Sequence, residues 1–444
     1  MTAASPLGWV GIVRLGLVQT ALGAIVVLTT STLNRVMVVE LALPAILPGV
    51  LVALHYLVQV VRPRLGHGSD VGGRRTPWIV GGMATLALGG IGAAAATAWM
   101  TTDPVAGIVL AVVAFGAIGI GVGSAGTALL VLLAKRVEAG RRAAAATIVW
   151  MMMIAGFAVT AMIAGHLLDP YSPLRLVAVT SGVSLVAFVV ALLAVRGVEG
   201  DGAMAAAVPE QTRARFIEAL HQVWAEPAAR RFTVFVFVSM LAYSAQDLIL
   251  EPFAGMVFGM TPGESTRLSG VQHGGVLGGM LLVAVAGSVG RGRFGTLRAW
   301  TIGGCLASGA ALAALVGAAV HGPGWPLRES VFLLGLANGA FAVAAIGSMM
   351  ELAGRGRESR EGVRMGLWGA AQAVAFGLGD LAGTAASDVA RHFMASPAQA
   401  YAVVFAAEAM LFVLSAVLAA KVSAGATARS VAGTGGMLVP IERG

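Results

Sequence analysis

Charge is what this chain has least of. Asp, Glu, Lys and Arg make up 11% of its 444 residues, against about 25% in soluble globular domains. Hydrophobic residues make up 58%, and mean hydropathy is +0.87. A soluble fold is excluded, and the apolar runs are too long for the alternating strands of a membrane β-barrel. In lipid, only helices then satisfy the backbone. Cysteine occurs once, as Cys305 within an apolar run, which excludes a disulfide framework and a cysteine metal site. No glycine cluster precedes a Lys-Ser/Thr pair, so a phosphate loop is not expected. A nucleophile–base grouping is also missing, and the chain is not expected to be an enzyme. No cleavable leader is evident, and the first apolar run is long enough to remain as a span.

What the sequence does contain is a succession of apolar runs, read as twelve transmembrane helices of an all-α membrane protein in two pseudo-symmetric six-helix halves. The expected divisions are 1–196 for the first bundle, 197–231 for a cytoplasmic linker, 232–420 for the second bundle and 421–444 for a flexible cytoplasmic tail. In the linker, Phe216, Ile217, Leu220, Val223 and Trp224 fall at helical spacing, which predicts an amphipathic helix lying on membrane lipids. The duplication shows in two echoes. Trp78-Ile79-Val80-Gly81-Gly82 returns as Trp300-Thr301-Ile302-Gly303-Gly304, and Pro44 and His55 return as Pro262 and His273. Glycine pairs at G-x-x-x-G spacing, such as Gly275/Gly279 and Gly379/Gly383, let helices approach closely.

The net charge of +8 is topological. Of the 29 Lys and Arg residues, only Arg35, Arg175, Arg267, Arg328 and Arg391 fall in odd-numbered connections. By the positive-inside rule both termini are then cytoplasmic. No nucleic-acid partner is implied.

Ionisable groups at membrane depth are costly and mark functional sites. His55 and His273 follow Pro44 and Pro262 at the same spacing, about 16 Å along a helix and near mid-bilayer. A neutral imidazole there suits the single axial bond to the magnesium of a chlorin. The plainer alternative is a hydrogen bond to a neighbouring helix. Span seven carries Gln246, Asp247 and Glu251, and span one ends in Asn34 and Arg35. The repeat aligns Asn34 with Glu251, so Arg35 is expected to pair with Asp247 or Glu251 across the halves, as a gate or an anchor for a polar head. Separate snorkelling to the interface is the alternative. Asp380 and Glu408 also lie in apolar runs, either as proton-coupling carboxyls or as buried, hydrogen-bonded acids. Asp247-x-x-x-Glu251 alone is too little to hold a diphosphate with its metal ions.

Gly66-x-x-x-Asp70-x-x-Gly73-Arg74-Arg75, between spans two and three, resembles the cytoplasmic signature loop of the major facilitator superfamily. The resemblance implies that fold, with Asp70, Arg74 and Arg75 latching cytoplasmic helix ends. A narrower resemblance rests on Leu33–Leu41, on Trp224-Ala225-Glu226-Pro227 through Arg231-Phe232, and on Ala242–Phe253. These stretches are similar to the PucC/LhaA family of phototrophic bacteria. The family implies bacteriochlorophyll handling and assembly of light-harvesting complexes in the inner, photosynthetic membrane. The expected partners are antenna polypeptides or a light-harvesting/reaction-centre complex, with chlorophyll synthase and the insertase. The expected pigment-binding set is His55, His273, Asn34, Arg35, Asp247 and Glu251, with a histidine axial to chlorin magnesium and no free metal. The rival reading is a secondary transporter of a small lipophilic solute, driven by protons through Asp247, Glu251, Asp380 or Glu408.

Overall fold

The structure is a computed structural model, and it describes residues 7–59, 74–200, 221–289, 295–354 and 361–434. The first half contains α1 (Trp9–Glu40), α2 (Ile46–Val58), α3 (Thr76–Trp99), α4 (Pro104–Arg136), α5 (Arg142–Leu167) and α6 (Pro173–Val195). The second contains α7 (Pro227–Phe258), α8 (Pro262–Val289), α9 (Leu297–His321), α10 (Leu327–Gly354), α11 (Glu361–Phe393) and α12 (Pro397–Thr434). Ten of the described helices are long and apolar enough to cross a membrane. Of the other two, α2 is apolar but short. Helix α11 is long, but Arg364, Asp380, Asp388 and Arg391 make it the more polar.

Several helix starts follow from local chemistry. Proline opens α4, α6, α7, α8 and α12, where its missing N–H costs nothing and its fixed φ suits the first turn. Asp103 accepts from Ala106 N–H at 3.0 Å, and Ser172 accepts from Arg175 N–H at 3.1 Å, each satisfying an otherwise orphaned donor of α4 or α6.

Each half buries its own apolar core, one built on residues such as Leu15, Met83, Phe115 and Leu129 and the other on Phe235, Phe253, Phe341 and Phe405. The halves meet along α2 against α11 and α5 against α8. The sequence echo has a common geometry. Gly82 of α3 lies against the backbone of Ala125 on α4, and Gly304 of α9 lies against the backbone of Phe341 on α10. Their neighbours Gly81 and Gly303 face open space. One half-turn is thus written twice, with one glycine for close approach and one outside the contact.

Close packing joins α8 to α10. A Cβ at Gly275 or Gly279 would strike the carbonyls of Phe332 and Leu336, and one at Gly335 or Gly339 would strike those of Gln272 and Val276. Backbone meets backbone from both sides, as small residues allow in lipid.

Two boundaries differ from the sequence reading. Helix α1 does not stop near residue 34; it continues to Glu40 through two π-helical turns, Leu28–Thr32 and Val36–Glu40. The tail expected to be flexible from Lys421 is helical to Thr434, in keeping with its recurrent alanines, the best helix formers. Phe216, Ile217 and Leu220 of the linker lie outside the described residues. We predict that Gly279→Val lowers the apparent Tm of detergent-purified protein through at least about 1–3 kcal/mol of overpacking. Gly303→Val should leave it unchanged, and equal losses at both positions would contradict the packing assignment.

Candidate functional site

The two π turns in α1 carry the chemistry of the odd-connection end. A π turn brings residue i+5 over residue i, and so Glu40 lies beneath Arg35, with Nη1 to Oε1 at 2.5 Å. The other arm of the guanidinium, Nη2, donates to Met260 O at 2.6 Å across the halves. The plane rests on Gly255, where an added Cβ would come within 2.9 Å of Nη2. Arg35 is 2% exposed. Its expected partner was Asp247 or Glu251. That expectation is corrected: the ion pair is with Glu40, because the π register moves the acid of its own helix into reach.

Glu251, 2% exposed, is held by hydroxyls. It accepts from Ser31 across the halves and from Ser265 Oγ at 3.3 Å. Thr32 and Thr266 share a hydrogen bond of 2.9 Å. Asn34 donates to Leu248 O at 2.6 Å. That carbonyl is available because α7 unwinds over residues 246–249, between Pro227–Ala245 and Leu250–Phe258. The same turn sends the Leu248 side chain into the core of the first half, while Ile249 and Leu250 stay in the core of the second.

Two further ties lie at this end. Arg267 pairs with Asp169 at 3.0 Å, and Thr261 donates to the same carboxylate at 2.9 Å. Asp388 at the end of α11 accepts from the N–H groups of Ala45 and Ile46 at 3.0 and 2.7 Å, and so caps α2 from the other half. Between the ties is a cleft of about 700 Å³ lined by Arg35, Glu40, Asp169, Tyr171, Met260 and Thr261, among others. Its volume is within the range of small-molecule sites, about 300–1,000 Å³.

The two histidines occupy the seams. His273 is half-buried on α8, its ring edge-on to Phe157 of α5 at 5.0 Å. Its Nδ1 is 2.9 Å from Ser269 O, a contact that fixes the Nδ1–H tautomer and leaves the Nε2 lone pair as ligand. The adjoining Gly274 faces open space. His55 is buried on α2, and its Nε2 lies 2.9 Å from Gln59 Nε2. Tyr56 beside it stacks on Phe376 of α11. The two symmetry-matched imidazoles are therefore not equivalent: His273 offers Nε2, whereas His55 has that atom engaged. Among the described residues no group of three His, Cys, Asp or Glu forms a metal site.

The expected cytoplasmic latch is described only in part. Gly66, Asp70 and Gly73 lie outside the described residues, while Arg74 is exposed and Arg75 buried. The acid observed at the N-terminus of α3 is Glu199, which the sequence reading did not single out. Its carboxylate accepts from the N–H groups of Arg75 and of Thr76, the latter at 2.8 Å. Burial raises the Glu199 pKa, but the two backbone donors, the Thr76 hydroxyl and the Arg74 charge outweigh it, and the net shift is downward. Glu199 therefore stabilises the fold above its unfolded value near 4.5, and that contribution disappears as pH falls through the lower folded value. Asp169, Gly255, Arg267 and Asp388 were likewise not singled out, since each acts on a partner remote in sequence.

These features define a multi-pass helical membrane protein of the two-bundle transporter fold. The structure superposes on the peptide transporter POT in complex with sulfate (TM-score 0.71, 12% identity, 95% of this chain and 96% of that one). It also superposes on a D-xylose-proton symporter (TM-score 0.69, 15% identity, 90% and 96%). A family model described as PUCC protein matches residues 32–427, and the chain belongs to that family. It is 55% identical over 418 residues, 94% of this chain and 96% of the relative, to the "Bacteriochlorophyll synthase 44.5 kDa chain" of Rhodobacter capsulatus. It is 30% identical to "Protein PucC" of Cereibacter sphaeroides, over 83% and 81% of the two chains.

Two outcomes follow. Arg35→Leu strips Met260 O and Glu40 of their donor and should cost about 1–3 kcal/mol, read as a lower Tm, whereas the exposed Arg328→Leu should cost none. Glu199→Gln should flatten the acid limb of stability below about pH 4.5; an unchanged acid limb would contradict the cap.

Proposed function

We propose that this chain is an integral membrane assembly factor that binds bacteriochlorophyll and delivers it to light-harvesting or reaction-centre complexes. The observation that carries the reading is His273: an imidazole between the halves, oriented by a backbone carbonyl, beside open space at Gly274. This donor set fits one axial bond to a chlorin magnesium, and the apolar surroundings of Ile154, Val276 and Met280 suit a hydrophobic pigment. The name of one relative, the bacteriochlorophyll synthase 44.5 kDa chain, supports the same pigment class. When bound, the pigment would supply light absorption and the metal that the imidazole holds. The chain's own residues orient the ligand nitrogen, and the Asn34, Arg35 and Glu251 network holds the halves around the cargo.

In this reading twelve helices cross the photosynthetic inner membrane with both termini cytoplasmic, α2 and α11 included. The partners are antenna polypeptides, with chlorophyll synthase and the insertase supplying pigment and nascent chains. The chain carries out no chemical step itself. The transporter resemblance concerns fold only, since the solved structures are 12–15% identical.

Purification in mild detergent tests the proposal. We predict a far-red absorbance band that falls about tenfold or more in His273→Ala and less in His55→Ala. A colourless native protein, or equal retention of pigment in His273→Ala, would overturn it.

A further inference from the structure

Two acids inside the second half, Asp380 and Glu408, have no part in the pigment reading. Helix α11 is pressed onto the end of the first segment of α7, because Gly379 and Gly383 leave room only for Ser244 and the carbonyls of Leu241 and Ala245. That contact fixes Asp380, 4% exposed, beside the unwound turn that carries the half-buried Asp247. Glu408 enters from α12 at 3% exposure. The charge of Asp247 acts on both. Oδ1 of Asp380 and both carboxyl oxygens of Glu408 are buried with no hydrogen-bond partner. Gln246, in the same turn, is fully buried with both side-chain polar atoms equally unpartnered.

Among the described residues, the surrounding groups supply no positive charge. On α7, Tyr243 precedes Asp247 by one turn, and Glu251 beyond it is engaged by Ser31 and Ser265. On α8, Gln272 bonds Asp247 and His273 faces Phe157. On α2, His55 bonds Gln59. Helix α9 contributes Cys305. Arg391, toward the outer end of α11, pairs with Asp388, and Tyr401 of α12 contacts Met256. A carboxylate cannot stay ionised in such a place without a cation or donors. The described carboxyls do not converge as a metal site, so a proton on each acid is favoured over a shared cation.

We infer that Asp380 and Glu408 form a proton-binding site inside the second half, held as neutral carboxylic acids that exchange their protons through Asp247. Each exchange moves one proton from a carboxyl oxygen to the Asp247 carboxylate, which passes it on to solvent. Losing either proton sets a bare charge against Asp247, at the turn whose Leu248 carbonyl binds Asn34. Proton occupancy is thereby linked to the seam. The inference is independent of the pigment reading.

The test uses the full chain in detergent at pH 7. Infrared spectroscopy should show a protonated-carboxyl C=O band that shifts in D2O and loses intensity in Asp380→Asn and again in Glu408→Gln. Dicyclohexylcarbodiimide, which modifies protonated carboxyls in apolar surroundings, should label Glu408 and Asp380 of the unsubstituted protein by mass spectrometry, so the test survives a variant that fails to fold. The absence of both band and label in the unsubstituted protein overturns the site. So does a band unaffected in both variants, or one abolished by sodium but not by choline chloride, which would indicate a bound cation.

Discussion

A guanidinium at membrane depth is costly unless it is paired, and much of the seam between the halves follows from pairing the two terminal arms of Arg35. Glu40 neutralises its charge, the Met260 carbonyl takes its second arm, and Gly255 leaves room for its plane. Both polar partners require a departure from regular helix. Glu40 reaches Arg35 only through a π turn, and Met260 lies just beyond the end of α7. The unwound turn in α7 serves the neighbouring Asn34 in the same way, by freeing the Leu248 carbonyl. In lipid, broken helix is stable where the released backbone groups find protein partners. Here the carbonyls of Leu248 and Met260 find their partners on the opposite half, so the break in α7 and the inter-half contacts are one feature.

Around that polar end the molecule is held by shape. Apolar burial does not drive helices together in lipid; backbone contact does, and glycine permits it. The α8–α10 pair, the α11–α7 contact and the duplicated Gly82 and Gly304 positions are all of this kind. The result is two separately packed cores with narrow seams. Under the proposed function, a flat, apolar cargo between the halves would suit such an arrangement: rigid bundles, with the polar ties at one end and the apolar stretch of His273 beyond them.

Much of this was legible in the residues. Long apolar runs give helices directly, and the Trp78–Gly82 echo pointed to the repeated half. Buried polar residues also stood out, because lipid makes each of them costly. Partnership was not legible. Arg35 was matched to the acids of α7 by repeat symmetry, but a π turn shifts the register by one residue, and no propensity signals it. Asp388 caps α2 from the far end of the chain, and Glu199 caps α3 from beyond α6. A free carboxylate near a helix start is common in any sequence, and only the tertiary path selects which start it meets. His55 and His273 looked equivalent by spacing; Gln59, one turn from His55, separates their chemistry.

The central claim is that the halves are joined at the odd-connection end by the side chains of α1 meeting α7 and α8. A disulfide between Thr32→Cys and Thr266→Cys, whose native hydroxyls are 2.9 Å apart, measures this most directly in a Cys305→Ser background. The account predicts spontaneous cross-linking in native membranes, to the same extent as a control pair within one half. Cysteines that stay reduced while the control pair oxidises would contradict it.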